Sequence, residues 1–190
     1  MLRVLYDPDS FFRDFKGGFK VPVIIVLLSG IVGAIVSYLR FSETAREIVE
    51  NFSHTLTQEQ IEAIIEIARI QSIISPLIGA FVGWILLSLI IHAISALFGG
   101  KGNLSRTLQY TSFSFLPQIV LSPLNYYYWS ITPTLPTLIL SLATTLWQAY
   151  ILVFALKHAR RIETSKAIVC VAIPLAIAYA MSLIGFMLMR

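Results

Sequence analysis

The chain has 190 residues, 57% of them hydrophobic and only 13% charged, with a mean hydropathy of +0.80. A soluble domain carries about a quarter charged residues, so this composition excludes a soluble globular domain, a disordered tail and a disulfide scaffold, and points to the membrane. The net charge of +4 would suggest nucleic acid in a soluble protein; here Lys and Arg are first topology signals, and no nucleic-acid partner is expected.

Five apolar stretches reach the roughly 20 residues that a membrane-crossing helix needs: 21–39, 72–98, 107–128, 136–156 and 167–189. None contains Asp, Glu, Lys or Arg. The expected fold is all-α, a single polytopic membrane domain over 1–190 with a bundle of five transmembrane helices.

In chain order, residues 7–20 come first. Asp7 can cap a helix that has Pro8 at its first position. Phe11, Phe12, Phe15 and Phe19 fall on one face, and Arg13, Lys16 and Lys20 on another. That pattern predicts an interfacial helix with its rings sunk in the lipid surface; the alternative is a helix that docks on a partner. The first span is too long for a signal-peptide core and is followed by bulky residues, Tyr38, Leu39 and Arg40, so it reads as an uncleaved anchor. Within it Ser29, Gly33 and Ser37 recur every fourth residue, as in close helix packing.

Residues 41–71 predict a helical hairpin outside the membrane. Its first helix follows Ser42, and its second opens at Thr57 and Gln60, a capping box, and runs on into the second span. Glu59, Glu62 and Glu66 with His54 read as a solvated face, since no second ligand helix completes a coordination shell. No metal and no cofactor are expected. The second span carries another small-residue ridge, Ser75, Gly79 and Gly83. It also carries His92, the single candidate base at membrane depth, with Ser88 and Ser95 nearby. Neighbours three and four apart on one helix do not supply both attack geometry and an oxyanion hole. His92 is therefore read as a hydrogen-bonded interhelical residue, no catalytic residue is assigned, and no enzyme is expected.

Pro76, Pro117, Pro123 and Pro174 stand in or at the ends of spans, and with Gln118, Asn125 and Gln148 they would be the lining of any small polar path. The run Tyr126–Trp129 suits an interfacial aromatic belt, and Cys170 a small buried hydrophobe. Ten of the 14 Lys and Arg fall on the N-terminal segment and the second and fourth connections. This predicts a cell-membrane protein with a cytoplasmic N-terminus and an extracytoplasmic C-terminus.

The second connection, Gly99-Gly100-Lys101-Gly102, is followed by Tyr110 and then by Leu116-Pro117. Glycines at 99, 100 and 102 permit positive φ for a tight return, and Lys101 is placed to meet phosphate headgroups. A nucleotide-binding loop is disfavoured because the full phosphate-loop pattern is absent. This glycine turn, the later Tyr…Leu-Pro and the opening Asp7-Pro8-Asp9-Ser10-Phe11-Phe12 resemble the Yip (Ypt-interacting protein) domain family in its short prokaryotic, archaeal-type form. The resemblance covers nearly the whole chain. It implies a non-enzymatic integral membrane protein that organises or tethers membrane or partner proteins through its helices; a transporter or channel for a small neutral or amphipathic solute is the alternative. Expected partners are the lipid bilayer and a membrane protein or a second copy. Eukaryotic relatives are implied to bind Rab-type GTPases, but their long N-terminal region is replaced here by about 20 residues. The fold is expected to transfer and the GTPase partner is not.

Overall fold

The computed structural model describes residues 2–128 and 135–188, and no strand occurs among them. A short 3-10 turn, Leu2–Leu5, leads into α1 (Pro8–Asp14), α2 (Lys20–Leu39), α3 (Phe41–Phe52) and α4 (Gln58–Leu97). Next come α5 (Leu104–Thr111), a 3-10 turn (Ser112–Phe115), α6 (Leu116–Tyr128), α7 (Leu135–Arg160) and α8 (Thr164–Leu188). Four helices, α2, α4, α7 and α8, are long and apolar enough to cross a membrane, and the protein is a membrane-inserted helical bundle. Trp129, the last member of the aromatic run, lies outside the described residues.

Local chemistry sets the helix starts. The Asp7 carboxylate accepts from the Ser10 amide at 3.2 Å with Pro8 at the first position. Thr57 and Gln60 close a capping box at the start of α4, which then runs 40 residues without interruption. The stretch 107–128, read as one span, is instead built in three pieces. Pro117 has no N–H to give to the Phe113 carbonyl, and that carbonyl is taken by the Leu116 amide in 3-10 geometry. The hydroxyls of Thr111, Ser112 and Ser114 bond back to carbonyls three residues earlier, which bends the helix at this point.

Two contact networks position the rest. The first small-residue ridge is closed only at Gly33, where α2 packs on α4; Ser37 lines a groove beside α6. A Cβ added at Gly30 would meet the Leu77 Cα at 3.1 Å, and one at Gly33 would meet the Pro76 side chain at 3.1 Å. The second ridge is open: Ser75, Gly79 and Gly83 are exposed, and a Cβ at either glycine meets nothing within 4 Å. The other network is aromatic. Phe11, Phe12 and Phe15 do not turn to lipid but pack on Tyr110 and Phe113, with ring centroids 5.0–5.6 Å apart, and Phe12 is only 1% exposed. Only Phe19 of the four rings faces outward. The amphipathic stripe is thus a protein contact; its helix ends at Asp14, and Gly17 and Gly18, both at positive φ, carry the chain into α2.

The close approach at Gly30 gives a stability test. Gly30→Leu is expected to destabilise the monomer by about 1–3 kcal/mol through overpacking, read as a lowered melting temperature in mild detergent.

Candidate functional site

The glycine turn predicted as a simple reversal is the wall of a polar site at one end of the bundle. Its centre is Arg160 in the last turn of α7, which charge counting treats as a topology residue in a connection. The side chain is 3% exposed. Its Nη2 donates to the Gly100 carbonyl at 2.7 Å, its Nε to the Ser95 hydroxyl at 2.8 Å, and its Nη1 contacts His92 Nε2 at 3.4 Å. No carboxylate pairs with it among the described residues. A guanidinium is satisfied here by a carbonyl, a hydroxyl and an imidazole, which is the dipolar alternative to an ion pair for a buried charge.

These donors fix the polarity of the neighbouring chain. Arg160 can only donate, so His92 Nε2 accepts and the imidazole is neutral with its proton on Nδ1. That proton goes to the Thr107 hydroxyl at 2.9 Å, and Thr107 donates to the Asn103 carbonyl at 3.3 Å. The His92 imidazole is therefore not hydrogen-bonded to either serine hydroxyl. Ser88 bonds to Trp84 and Thr111, and Ser95 bonds to the His92 carbonyl and Arg160. The dyad that the residue spacing left conceivable does not form.

The turn itself caps α7. The Lys101 amide donates to the Arg160 carbonyl at 2.9 Å, and the Gly100 amide to the Ser95 carbonyl at 2.9 Å. A Cβ at Gly102 would collide with the Ala159 carbonyl, and one at Gly100 would lie 2.9 Å from the Arg160 guanidinium. Of the three glycines that permit positive φ, Gly99 uses it, at +83°; Gly100 and Gly102 allow close approach. Arg161 then adopts φ +54° and the Ile162 amide reaches back to the Lys157 carbonyl, a Schellman ending without glycine.

The N-terminal segment docks on the same end. Asp9 receives the Lys157 ammonium and His158 Nε2, both at 2.7 Å. Trp147 Nε1 donates to the Leu5 carbonyl at 2.9 Å. Tyr110 is stacked on Phe12 and donates its hydroxyl to the Phe15 carbonyl while accepting from Arg106. Leu116 packs on this aromatic cluster, and Pro117 is buried behind it. The three segments rich in basic residues thus meet at one pole. Gln118 and Gln148 are not brought together: Gln118 faces a groove beside α2, whereas Gln148 lines an apolar cavity of about 320 Å³ between α4, α7 and α8. Ser37 lies along the Gln118 groove.

Sequence reasoning missed Arg160, Ser95, Thr107 and Asp9 as members of one site. The one usable signal was that each Arg160 partner lies near the Gly-Gly-Lys-Gly turn. Two predictions follow from the geometry. Arg160→Leu removes a partner from Ser95, His92 and the Gly100 carbonyl and should cost about 1–3 kcal/mol for each group left unsatisfied, with Arg160→Lys recovering part of it in thermal unfolding. The Lys157 hydrogen bond, then that from His158, holds the Asp9 carboxyl below the usual carboxylate range. Asp9 therefore stabilises the fold above the ordinary carboxylate pKa of about 3.9 and loses that contribution as pH falls through its lowered value. The stability gap between wild type and Asp9→Asn should be full above about pH 5 and close progressively below about pH 4.

Comparison with known proteins places these motifs. The family model described as "Yip1 domain" matches residues 2–185. An archaeal protein from Methanocaldococcus jannaschii, described only as uncharacterized, is 30% identical over 134 residues, covering 67% of this chain and 89% of its own. No solved structure matches. With a family match over almost its entire length, the chain belongs to the Yip1 domain family.

Proposed function

We propose that this protein is a non-enzymatic organiser of the cell membrane that works by associating with other transmembrane helices. The observation that carries this reading is the inequality of its two small-residue ridges. Gly33 packs on Pro76 of α4, while Ser75, Gly79 and Gly83 are exposed along α4 and a Cβ at either of these two glycines meets nothing within 4 Å. In lipid, helices associate through van der Waals packing at such surfaces, so the open ridge is suited to a helix from outside the monomer.

The proposed topology has five crossings. The helical run from Leu104 to Tyr128 starts at the pole where Tyr110 meets Phe15 and ends where Arg40 lies 5.7 Å over the Tyr126 ring. At about 1.5 Å per residue its 25 residues reach well beyond a 30 Å hydrocarbon core. The pole that gathers ten of the 14 basic residues is assigned to the cytoplasm, which leaves α3 and the start of α4 outside as a hairpin. Arg69 stacked 5.5 Å over the Phe41 ring supports that pairing.

Chemical crosslinking of the protein in lipid nanodiscs and in native membranes tests the assembly reading. Wild type should crosslink to a second copy or to a co-purifying membrane protein. Gly79→Ile with Gly83→Ile should abolish the crosslink and leave the melting temperature unchanged. A lone monomer that moves solute across proteoliposomes would overturn the reading.

A further inference from the structure

We propose that the cavity between α4, α7 and α8 is an intramembrane binding site for one neutral lipophilic alcohol, its hydroxyl at Gln148 and its apolar body in the cavity. The site uses none of the residues of the open ridge and does not rest on the assembly reading.

Gln148 stands thirteen residues after the start of α7 and twelve before its end, about 18–20 Å from either at ~1.5 Å per residue. That is the middle of the hydrocarbon, where a polar group without a partner is costly. Its carboxamide nevertheless makes no hydrogen bond among the described residues. No fully enclosed polar side-chain atom among those residues lacks a partner, so the carboxamide is reachable, and it lines the cavity. The Thr145 and Ser114 hydroxyls stand with it. Both give their protons to helix carbonyls, of Ser141 and Thr111, so toward the cavity they can only accept. The polar side thus offers the Gln148 N–H groups as donors and three side-chain oxygens as acceptors. A hydroxyl, which accepts and donates, answers both kinds; an ether or a ketone answers only the N–H. None of the described residues lining the cavity is ionisable, so a charged ligand would find no counter-charge at this depth.

The rest of the wall is apolar, with Leu87 and Ile90 from α4 and Leu175 from α8. The volume of about 320 Å³ is roughly twice that of the ~150 Å³ apolar cavity that takes up one benzene ring, which gives room for a body of about twelve carbons. Toward Arg160 the way is shut. Ile91, Leu156 and Cys170 are fully buried in one cluster, and Leu152 belongs both to that cluster and to the cavity wall. A ligand therefore does not enter from the basic pole, and a lipid-soluble molecule reaches the site from the bilayer. The acyl chain of a bulk lipid would cover the apolar wall and leave Gln148 without a partner.

The probe is dodecanol with an aliphatic diazirine in its chain, set against the methyl ether of the same molecule. Each is placed at low mole fraction in phosphatidylcholine nanodiscs that hold the protein. Photolabelling with peptide mapping should put the alcohol on segments 87–90, 145–152 and 171–178, with a yield about three to ten times that of the ether. Excess unlabelled dodecanol should remove this label. Gln148→Leu should lower the alcohol to the level of the ether. Ala149→Phe, which fills the cavity and keeps the carboxamide, should remove the label of both. Equal labelling by alcohol and ether, label spread evenly over the lipid-facing helices, or an unchanged yield in folded Gln148→Leu would each overturn the proposal. The comparison of alcohol with ether needs only the wild type, so it decides the matter if neither variant folds.

Discussion

The structure depends on how one buried cation is satisfied. Arg160 lies at the end of α7, where the helix leaves carbonyls without intrahelical partners and favours positive charge. It is solvated by the Gly100 carbonyl, the Ser95 hydroxyl and His92, all from the end of α4 and the turn after it. The backbone completes the exchange, since the Lys101 amide caps the Arg160 carbonyl. Two connections far apart in sequence thereby become one unit. Gly102 is the steric condition for that, because any side chain there would meet the Ala159 carbonyl.

The N-terminal segment extends this unit by packing its rings on the bundle. Phe12 and Phe15 pack on Tyr110, and Asp9 joins the two basic side chains just before the end of α7. The motif residues Tyr110, Leu116 and Pro117 work by position: Tyr110 anchors the N-terminal segment, and Pro117 forces the 3-10 turn that bends the run between α5 and α6.

Much of the architecture was legible in the residues. Apolar run length marked α2, α4, α7 and α8, and the caps at Asp7 and Thr57 marked two helix starts, because hydropathy and capping are local properties. The site was not local. Arg160 reads as a topology charge because its partners Ser95 and Gly100 lie 65 and 60 residues away. A stripe of Phe beside Lys and Arg has the same pattern whether it faces lipid or protein, so periodicity could not choose the direction of α1. A glycine required for close approach looks in sequence like one required for positive φ, so the run itself does not tell Gly99 from Gly100 and Gly102. The third span was recognised as apolar, but its division into α5 and α6 came from Pro117 and hydroxyl back-bonding acting together.

The central claim is that the glycine turn is locked onto the end of α7 and is not a free surface connection. Amide hydrogen exchange on the wild-type protein in nanodiscs tests it most directly. The Gly100 and Lys101 amides, bonded to the Ser95 and Arg160 carbonyls, should exchange as slowly as amides in the middle of α7. Exchange of these two amides at the rate of an unprotected loop, with α7 itself protected, would contradict the account.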